Sequence, residues 1–223
     1  MSDGQDRTTP RRGRRPADAP AGRDALLLAG ARCFADYGFE AAGVRMIASQ
    51  AQAAPNLVAI HFGNKEGLWL ACVDLLTETL QPRIAALDAM ANDRKTPLLE
   101  RLQLAIAMTA TYYDRNPELR GFIARAGLEP PARSQIVAER LLKPLYEAAR
   151  PLIQQGIDAR IIPIEDPAIV FVILHSALGQ PERIASALAL LSPERPVEDM
   201  AGQLGEAMAR LLLGNEPPPG TPS

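Results

Sequence analysis

The chain has 223 residues, 47% of them hydrophobic and only 4% aromatic, and its formal net charge is −2. This composition favours a sizeable helical core, and the absence of any apolar run of about 18 residues excludes a transmembrane helix. Because the N-terminal arginines are not followed by an apolar segment, we expect no secretory signal and a cytoplasmic protein. Two cysteines among apolar neighbours and only two histidines predict buried, reduced thiols, no metal site and no cofactor.

Residues 1–20 contain arginine, proline, glycine and aspartate with almost no apolar side chain, which predicts a disordered basic arm. Up to residue 67 the chain is mildly basic, so the remainder is acidic. A basic front on an acidic body is typical of a nucleic-acid-binding domain joined to a second domain, and a basic tail without a role is the alternative.

Three helices are predicted between residues 21 and 67. The first starts near Arg23 and ends at Gly38, because glycine can adopt the left-handed conformation that closes a helix. The second and third occupy residues 44–51 and 55–62. Two short helices set across a tight turn are the layout of a helix-turn-helix DNA-binding domain, which we therefore predict for residues 21–67.

The rest of the chain, residues 68–214, is also predicted to be helical. A fourth helix begins at Asn64, a good N-cap, and Pro82 should kink or end it. Pairs of a capping residue and a proline, together with an apolar pattern bent at Pro144, predict the later helices at 97–114, 117–127, 132–155, 167–179 and 196–213. Residues 215–223 are proline-rich and predicted to be a flexible tail. The predicted fold class is all-α, with about nine helices.

Residues 23–70 resemble the DNA-binding domain of the TetR/AcrR family of bacterial transcriptional regulators. The resemblance lies in Gly38-Phe39, Val44-Arg45 and Ile47-Ala48, and it is most specific in the run His61-Phe62-Gly63-Asn64-Lys65-Glu66-Gly67-Leu68. It implies that this domain binds double-stranded DNA. It also implies that residues 68–214 form an effector-binding and dimerisation domain.

The chain departs from the family at several positions that bear on mechanism. Ala42 and Gly43 stand where the family usually has threonines, Gln52 where the turn usually has glycine, and Ala54 where the third helix usually has a Ser or Thr cap. Ala59 replaces a tyrosine that commonly contacts DNA. The exposed face of the third helix is therefore unusually apolar.

We predict that this face and the neighbouring helix ends contact DNA. Asn56 carries the amide for a bidentate contact with adenine, while Ala59 and Ile60 suit thymine methyl groups. Packing against the fourth helix is the alternative for Ile60. Arg45 and Lys65 suit phosphates at helix N-termini. The full predicted set is Arg45, Pro55, Asn56, Leu57, Ala59, Ile60, His61 and Lys65.

Two further basic groups each have two interpretations. His61 either hydrogen-bonds a phosphate or braces the third helix. The arm arginines either enter the flanking minor groove, as basic arms do, or belong to a solvated tail. These arginines are Arg11, Arg12, Arg14 and Arg15.

The resemblance implies a small-molecule pocket among the fourth to seventh helices, and a homodimer formed by the helices near 167–179 and 196–213. Residues 168–174 are apolar all round, which is more than one helix face needs inside a monomer. A helix fully buried in one core is the alternative. The candidate pocket residues, for each of which plain core is the alternative, are Met108, Tyr112, Tyr113, Phe122, Phe171 and His175.

The sequence thus predicts a repressor that an unidentified small-molecule effector releases from a palindromic operator, with the sign of regulation supplied by the resemblance. The alternative is a helical small-molecule- or partner-binding protein whose apolar third helix has weakened DNA recognition. An enzyme is not expected, because no nucleophile–histidine–acid set, phosphate loop or metal motif is present.

Overall fold

The computed structural model describes residues 19–194 and 199–214, and within these ranges every regular element is a helix, as predicted. The predicted arm before residue 19, the tail from residue 215 and the predicted start of the last helix at residue 196 lie outside the described residues. The elements are α1 (Ala19–Ala41), α2 (Val44–Gln50), α3 (Asn56–Phe62), α4 (Lys65–Asn92), α5 (Leu98–Arg115), α6 (Pro117–Arg125), α7 (Pro131–Val137), α8 (Lys143–Asp158), α9 (Pro167–Leu178), α10 (Pro181–Leu191) and α11 (Met200–Leu213).

Helix α1 begins at Ala19, earlier than the predicted start near Arg23. Pro20 lies in its first turn, where a missing N–H leaves no helical hydrogen bond unmade. Gly38 breaks the helical backbone, as predicted, with a φ of 79°. One further turn follows, in which the Ala42 N–H donates to the Gly38 carbonyl at 3.2 Å.

Helices α1 to α3 pack around a small core with the start of α4. One buried side chain from each of the four helices meets in this core: Leu26, Ile47, Val58 and Leu68. The DNA-binding head predicted from the sequence is thus a compact three-helix unit, which we call the head.

Helix α4 is a single helix of 28 residues that leads from the head into the remaining helices, which we call the body. Pro82 does not end it, contrary to one of the two predicted outcomes. In the body, α4 packs against α8, α5 packs against α11 and α8, and α6 packs against α1 of the head.

Two features of the body differ from the predicted helix list. A π-helical segment, Ala138–Leu142, joins α7 to α8 just before Pro144, which cannot donate a hydrogen bond to the Arg140 carbonyl. Helix α10 was not predicted, because its Pro181 follows Gln180, which is not a capping residue.

Candidate nucleic-acid interface and ligand cavities

The turn between α2 and α3 is closed by a Schellman motif. The Ala53 N–H donates to the Ala48 carbonyl at 2.9 Å, and the Gln52 N–H donates to the Ser49 carbonyl at 3.1 Å. Gln52 is the left-handed residue of this motif, with a φ of 52°. The position that usually carries glycine therefore keeps the glycine-like backbone although a side chain is present.

Helix α3 presents a mostly apolar face to solvent. Val58 is buried beneath it and Leu57 is half-buried, whereas Asn56 and Ala59 are exposed, as is Pro55 just before the helix. Ile60 is 66% exposed, so packing against α4 does not account for it. The Asn56 amide makes no hydrogen bond to the described part of the chain, which leaves it free for an external partner.

A glycine fixes α3 against α4. The Asn64 side chain accepts a hydrogen bond from the Gly67 N–H at 2.8 Å, which caps α4. A Cβ at Gly67 would lie 2.0 Å from the Phe62 carbonyl oxygen, far inside van der Waals contact. Only glycine allows the first turn of α4 to pass so close to the end of α3, and this contact sets the orientation of the exposed face.

The three basic residues in and around α3 differ in how many contacts their side chains already make within the protein. Arg45 is exposed at the start of α2. Lys65 donates to the Glu40 carbonyl at 3.2 Å, and its ammonium lies 4.4 Å from the centre of the Phe39 ring. Lys65 therefore braces the end of α1 in addition to any role at a phosphate. His61 is half-buried, and its ring lies edge-on to Phe62 at 6.2 Å.

Helix α6 of the body is packed closely against α1 of the head. A Cβ at Gly121 would lie 2.6 Å from the Cβ of Ala35, so the two helices touch at this glycine. The Arg125 Nε donates to the Ala35 carbonyl at 2.7 Å, and its Nη2 donates to the Asp36 carbonyl. These contacts join α6 of the body directly to α1 of the head.

Two cavities lie in the body, and Phe171 and His175 of α9 line both of them. The larger has a volume of about 420 Å³ and is also lined by Ile123 of α6 and Tyr146 of α8. The smaller has a volume of about 50 Å³ and lies deep between α4, α5, α8, α9 and α11. The Phe171 ring stacks on His175 with 3.8 Å between their centres.

The predicted pocket residues thus fall into two groups. Phe171 and His175 line the cavities, whereas the others line neither: Met108, Tyr112, Tyr113 and Phe122. The Tyr113 ring lies edge-on to His175 at 5.6 Å, while the Tyr112 hydroxyl donates to the Thr79 carbonyl at 2.7 Å. Phe122 stacks with Trp69 between α6 and α4, and Met108 is half-buried on α5.

Arg83 was missed by sequence reasoning, although it is only 5% exposed and lines the smaller cavity. A signal was present, since Arg83 stands between Leu80 and Leu87 at helical spacing on the inner face of α4. Burial lowers the pKa of Arg83 to about 10. Burial also lowers the pKa of the neighbouring His175 to about 4, so at neutral pH the histidine is uncharged and the arginine charged.

The apolar side chains that α9 carries beyond its buried face are exposed to solvent. Ile169, Val172 and Ile173 are between 41% and 58% exposed, although their neighbours Val170 and Phe171 are buried. Exposed leucines are also present on α10 and α11: Leu190, Leu191 and Leu211.

Among the described helices, none combines the length and hydropathy needed to cross a bilayer. The described residues also include no group of three or more His, Cys, Asp or Glu side chains placed to hold a metal ion.

Comparison with known proteins gives consistent results. A profile of bacterial regulatory proteins of the tetR family matches residues 26–72. The HTH-type transcriptional dual regulator CecR of Shigella flexneri is 31% identical over 171 residues, which cover 70% of this chain and 75% of CecR.

Solved structures share the fold at lower identity. HlyIIR, a hemolysin II transcriptional regulator, superposes with a TM-score of 0.67 and 14% identity over 89% of this chain and 100% of its own. The fatty acid degradation regulator FadR from Bacillus halodurans superposes with a TM-score of 0.60 and 18% identity over 87% of this chain and 95% of its own. With the helix-turn-helix head and the all-helical body, these similarities establish that the chain belongs to the TetR family of DNA-binding transcriptional regulators.

Proposed function

We propose that the protein is a dimeric repressor, working in the cytoplasm, which a small-molecule effector releases from a palindromic operator. The observation that carries this proposal is the position of α6, which lines the larger cavity through Ile123 and touches α1 of the head through Gly121. One helix therefore contacts both the space for a ligand and the unit that binds DNA.

DNA recognition is assigned to the exposed face of α3. Asn56 supplies the hydrogen-bonding group for adenine, and Ala59 and Ile60 supply apolar contacts to thymine methyl groups. Arg45 binds a phosphate beside them, and Lys65 does so while remaining anchored to Glu40. Specificity rests mainly on Asn56, because it is the polar side chain on this face with no partner in the described part of the chain.

The homodimer is assigned to α9 and α11. Exposed apolar side chains on neighbouring helices are typical of a protein–protein interface. Two copies joined there would present their α3 helices to a DNA palindrome with half-sites about 34–36 Å apart, one turn of the duplex.

Effector action follows from a difference in affinity between two states. A ligand that binds better when α6 is displaced favours a different position of α1, and hence a different spacing of the two heads. The effector weakens DNA binding only by the ratio of its affinities for the two states.

Footprinting on the DNA that flanks the protein's own gene tests this function. We expect protection of one palindrome, and Asn56→Ala should weaken it at least about tenfold, the order expected for one bidentate base contact. Asn92→Ala, the same truncation at the far end of α4, should leave the footprint unchanged. Absence of any protected site at moderate salt would overturn DNA regulation and favour a helical ligand-binding protein, an alternative supported by the apolar face of α3.

The sign of regulation needs a separate measurement. Transcription from the protected promoter should rise when the protein is deleted. A fall on deletion would overturn repression and leave DNA binding intact; the similar CecR protein is named a dual regulator.

A further inference from the structure

Helix α4 buries a charged side chain that has no carboxylate partner among the described residues. The Arg83 Nη2 donates to the Ala105 carbonyl at 3.1 Å and to the Thr109 hydroxyl at 2.5 Å. Its Nη1 is buried and has no hydrogen-bond partner among the described residues. A buried cation with an unused donor is costly, so an acceptor supplied from outside the described part of the chain would stabilise it.

A second buried arginine shows how the chain satisfies such a group when the role is structural. Arg101 is 6% exposed, about as buried as Arg83. Its Nε donates to the Thr96 carbonyl at 3.1 Å, and its Nη1 donates to the Met90 carbonyl at 2.8 Å and to the Gln155 side chain at 3.1 Å. Arg101 thus joins three segments of the chain by hydrogen bonds, whereas the Nη1 of Arg83 bonds to none of the described residues.

Another unpaired donor lies close to Arg83. The Tyr113 hydroxyl is buried without a hydrogen-bond partner in the described part of the chain, and the residue is 1% exposed. Burial raises the pKa of Tyr113, and the nearby charge of Arg83 opposes that rise. Two donors in one buried region, one of them cationic, select for an acceptor that carries negative charge.

The space beside Arg83 has two parts. Arg83 lines the smaller cavity of about 50 Å³, whose walls are otherwise mainly apolar, and this is enough for a carboxylate group but not for a larger body. The larger cavity of about 420 Å³ falls within the range of small-molecule sites. Phe171 and His175 line both cavities, so this stacked pair forms the wall that the two spaces share.

We propose that the effector is an apolar monocarboxylate whose carboxylate pairs with Arg83 in the smaller cavity, while its apolar body occupies the larger cavity. The identification of this ligand as the effector rests on the proposed function. A ligand that fills both cavities displaces Phe171 and His175, which lie on the same helix as the exposed residues Ile169 and Val172.

Calorimetric titration of the full chain in the absence of DNA tests the assignment. The probes are the sodium salts of straight-chain carboxylic acids from butyrate to dodecanoate, each paired with the alcohol and the primary amine of the same length. We expect at least one carboxylate to bind once per chain, about tenfold or more tighter than its alcohol, with the amine weaker still. Equal affinities for a carboxylate and its alcohol, or no binding by any carboxylate, would overturn the proposal.

Two variants locate the carboxylate. Arg83→Met should abolish the preference for carboxylate over alcohol while alcohol binding remains, whereas Tyr113→Phe, which changes a residue outside both cavity linings, should leave that preference in place. An unchanged preference in Arg83→Met would overturn the assignment to this arginine. If Arg83→Met does not fold, the comparison of paired probes on the unmodified chain still decides.

Adding the bound carboxylate to the protein–DNA complex separates the two proposals. Release of DNA supports both of them. Carboxylate binding that leaves DNA affinity unchanged would overturn the effector role and keep the site. Failure of the protein to bind any DNA selectively would overturn the proposed function, and the calorimetric result would stand independently.

Discussion

The guanidinium carbon of Arg133, in α7 of the body, lies 3.9 Å from the centre of the Phe39 ring in the head. The same guanidinium pairs with Glu40 of the head at 2.8 Å, with Glu66 in the first turn of α4 at 3.4 Å, and with Glu129 of the body at 3.0 Å. Together with the contacts of α6, this residue fixes the angle at which the body holds α1.

Arg133→Ala should destabilise the fold by about 2 kcal/mol, because charge-assisted hydrogen bonds in a largely buried guanidinium are lost. It should also reduce the effect of a ligand on DNA affinity, since the head is then less tightly coupled to the body. Urea unfolding and DNA titration measure the two effects. Arg150→Ala is the control: its pair with Glu147 at 3.6 Å is half-exposed, and its loss should cost less than about 0.5 kcal/mol.

Gln52→Gly should stabilise the protein by about 1 kcal/mol, because the left-handed backbone at this position strains any residue with a side chain. The same substitution at Gln50, the last residue of α2, should destabilise by about 1 kcal/mol, because glycine is unfavourable in a helix. Thermal and urea unfolding measure both variants. Two changes of the same sign would contradict the assignment of strain to Gln52.

Tyr112 and Tyr113 should respond differently to loss of the hydroxyl. Tyr112→Phe removes the bond to the Thr79 carbonyl and should cost about 1 kcal/mol. Tyr113→Phe removes an unpaired buried hydroxyl and should be neutral or stabilising in the absence of ligand. A loss of stability in Tyr113→Phe equal to that in Tyr112→Phe would mean that this hydroxyl has a partner in the free protein.

His175 should make the fold sensitive to acid. Its pKa is lowered to about 4 by burial, with the charge of Arg83 adding to the shift, and Tyr113 and Phe171 cover its ring. The unfolded chain therefore binds the proton first, and stability is lost as pH falls from about 6.5 towards about 4. Between pH 7 and pH 5 this histidine alone should remove about 2 kcal/mol.

The variant His175→Gln should lose less stability over that range than the unmodified protein, as measured by urea unfolding at each pH. His61→Gln is the matched control, because it changes the other histidine of the chain. Equal pH dependence in His175→Gln and the unmodified protein would show that the buried ring does not remain neutral.

Ile169→Glu should convert the proposed dimer into a monomer without unfolding it, because Ile169 is half-exposed within one copy and would be covered by the second. Analytical ultracentrifugation measures the mass, and DNA affinity should fall with it. Leu128→Glu places the same charge at an exposed apolar residue outside α9 to α11 and should remain dimeric. A dimeric Ile169→Glu would place the interface elsewhere.

Helix starts were predictable where a local signal exists. Pro117 and Pro167 both open helices, and Asp166 caps α9 by accepting a hydrogen bond from the Ala168 N–H at 2.7 Å. Helix α10 was missed because Gln180 gives no capping signal. Similarly, Gly38 marks the break in α1, because the backbone freedom of a glycine is a local property that can be read from the sequence.

The roles of Arg83 and Arg133 in the body could not be predicted from local signals of this kind. Arg83 follows the apolar spacing of α4, so its burial was predictable from the sequence. Its unpaired donor was not, because the number of hydrogen bonds it makes depends on which acceptors of α5 pack against it. Arg133 contacts its i−4 neighbour Glu129, but its other partners lie in two distant segments, Phe39-Glu40 and Glu66, which no local pattern brings to it. The exposed apolar side chains of α9 were predictable, because a helix that is apolar all round leaves one face without a partner inside the monomer.

Selection of bound sequences from a random pool of duplex DNA tests the central claim most directly. We expect enrichment of a palindrome whose half-site centres are about 34–36 Å apart, with one adenine position that loses its preference in Asn56→Ala. A pool that shows no enrichment over random sequence at moderate salt would contradict the claim that this chain regulates transcription through its exposed α3.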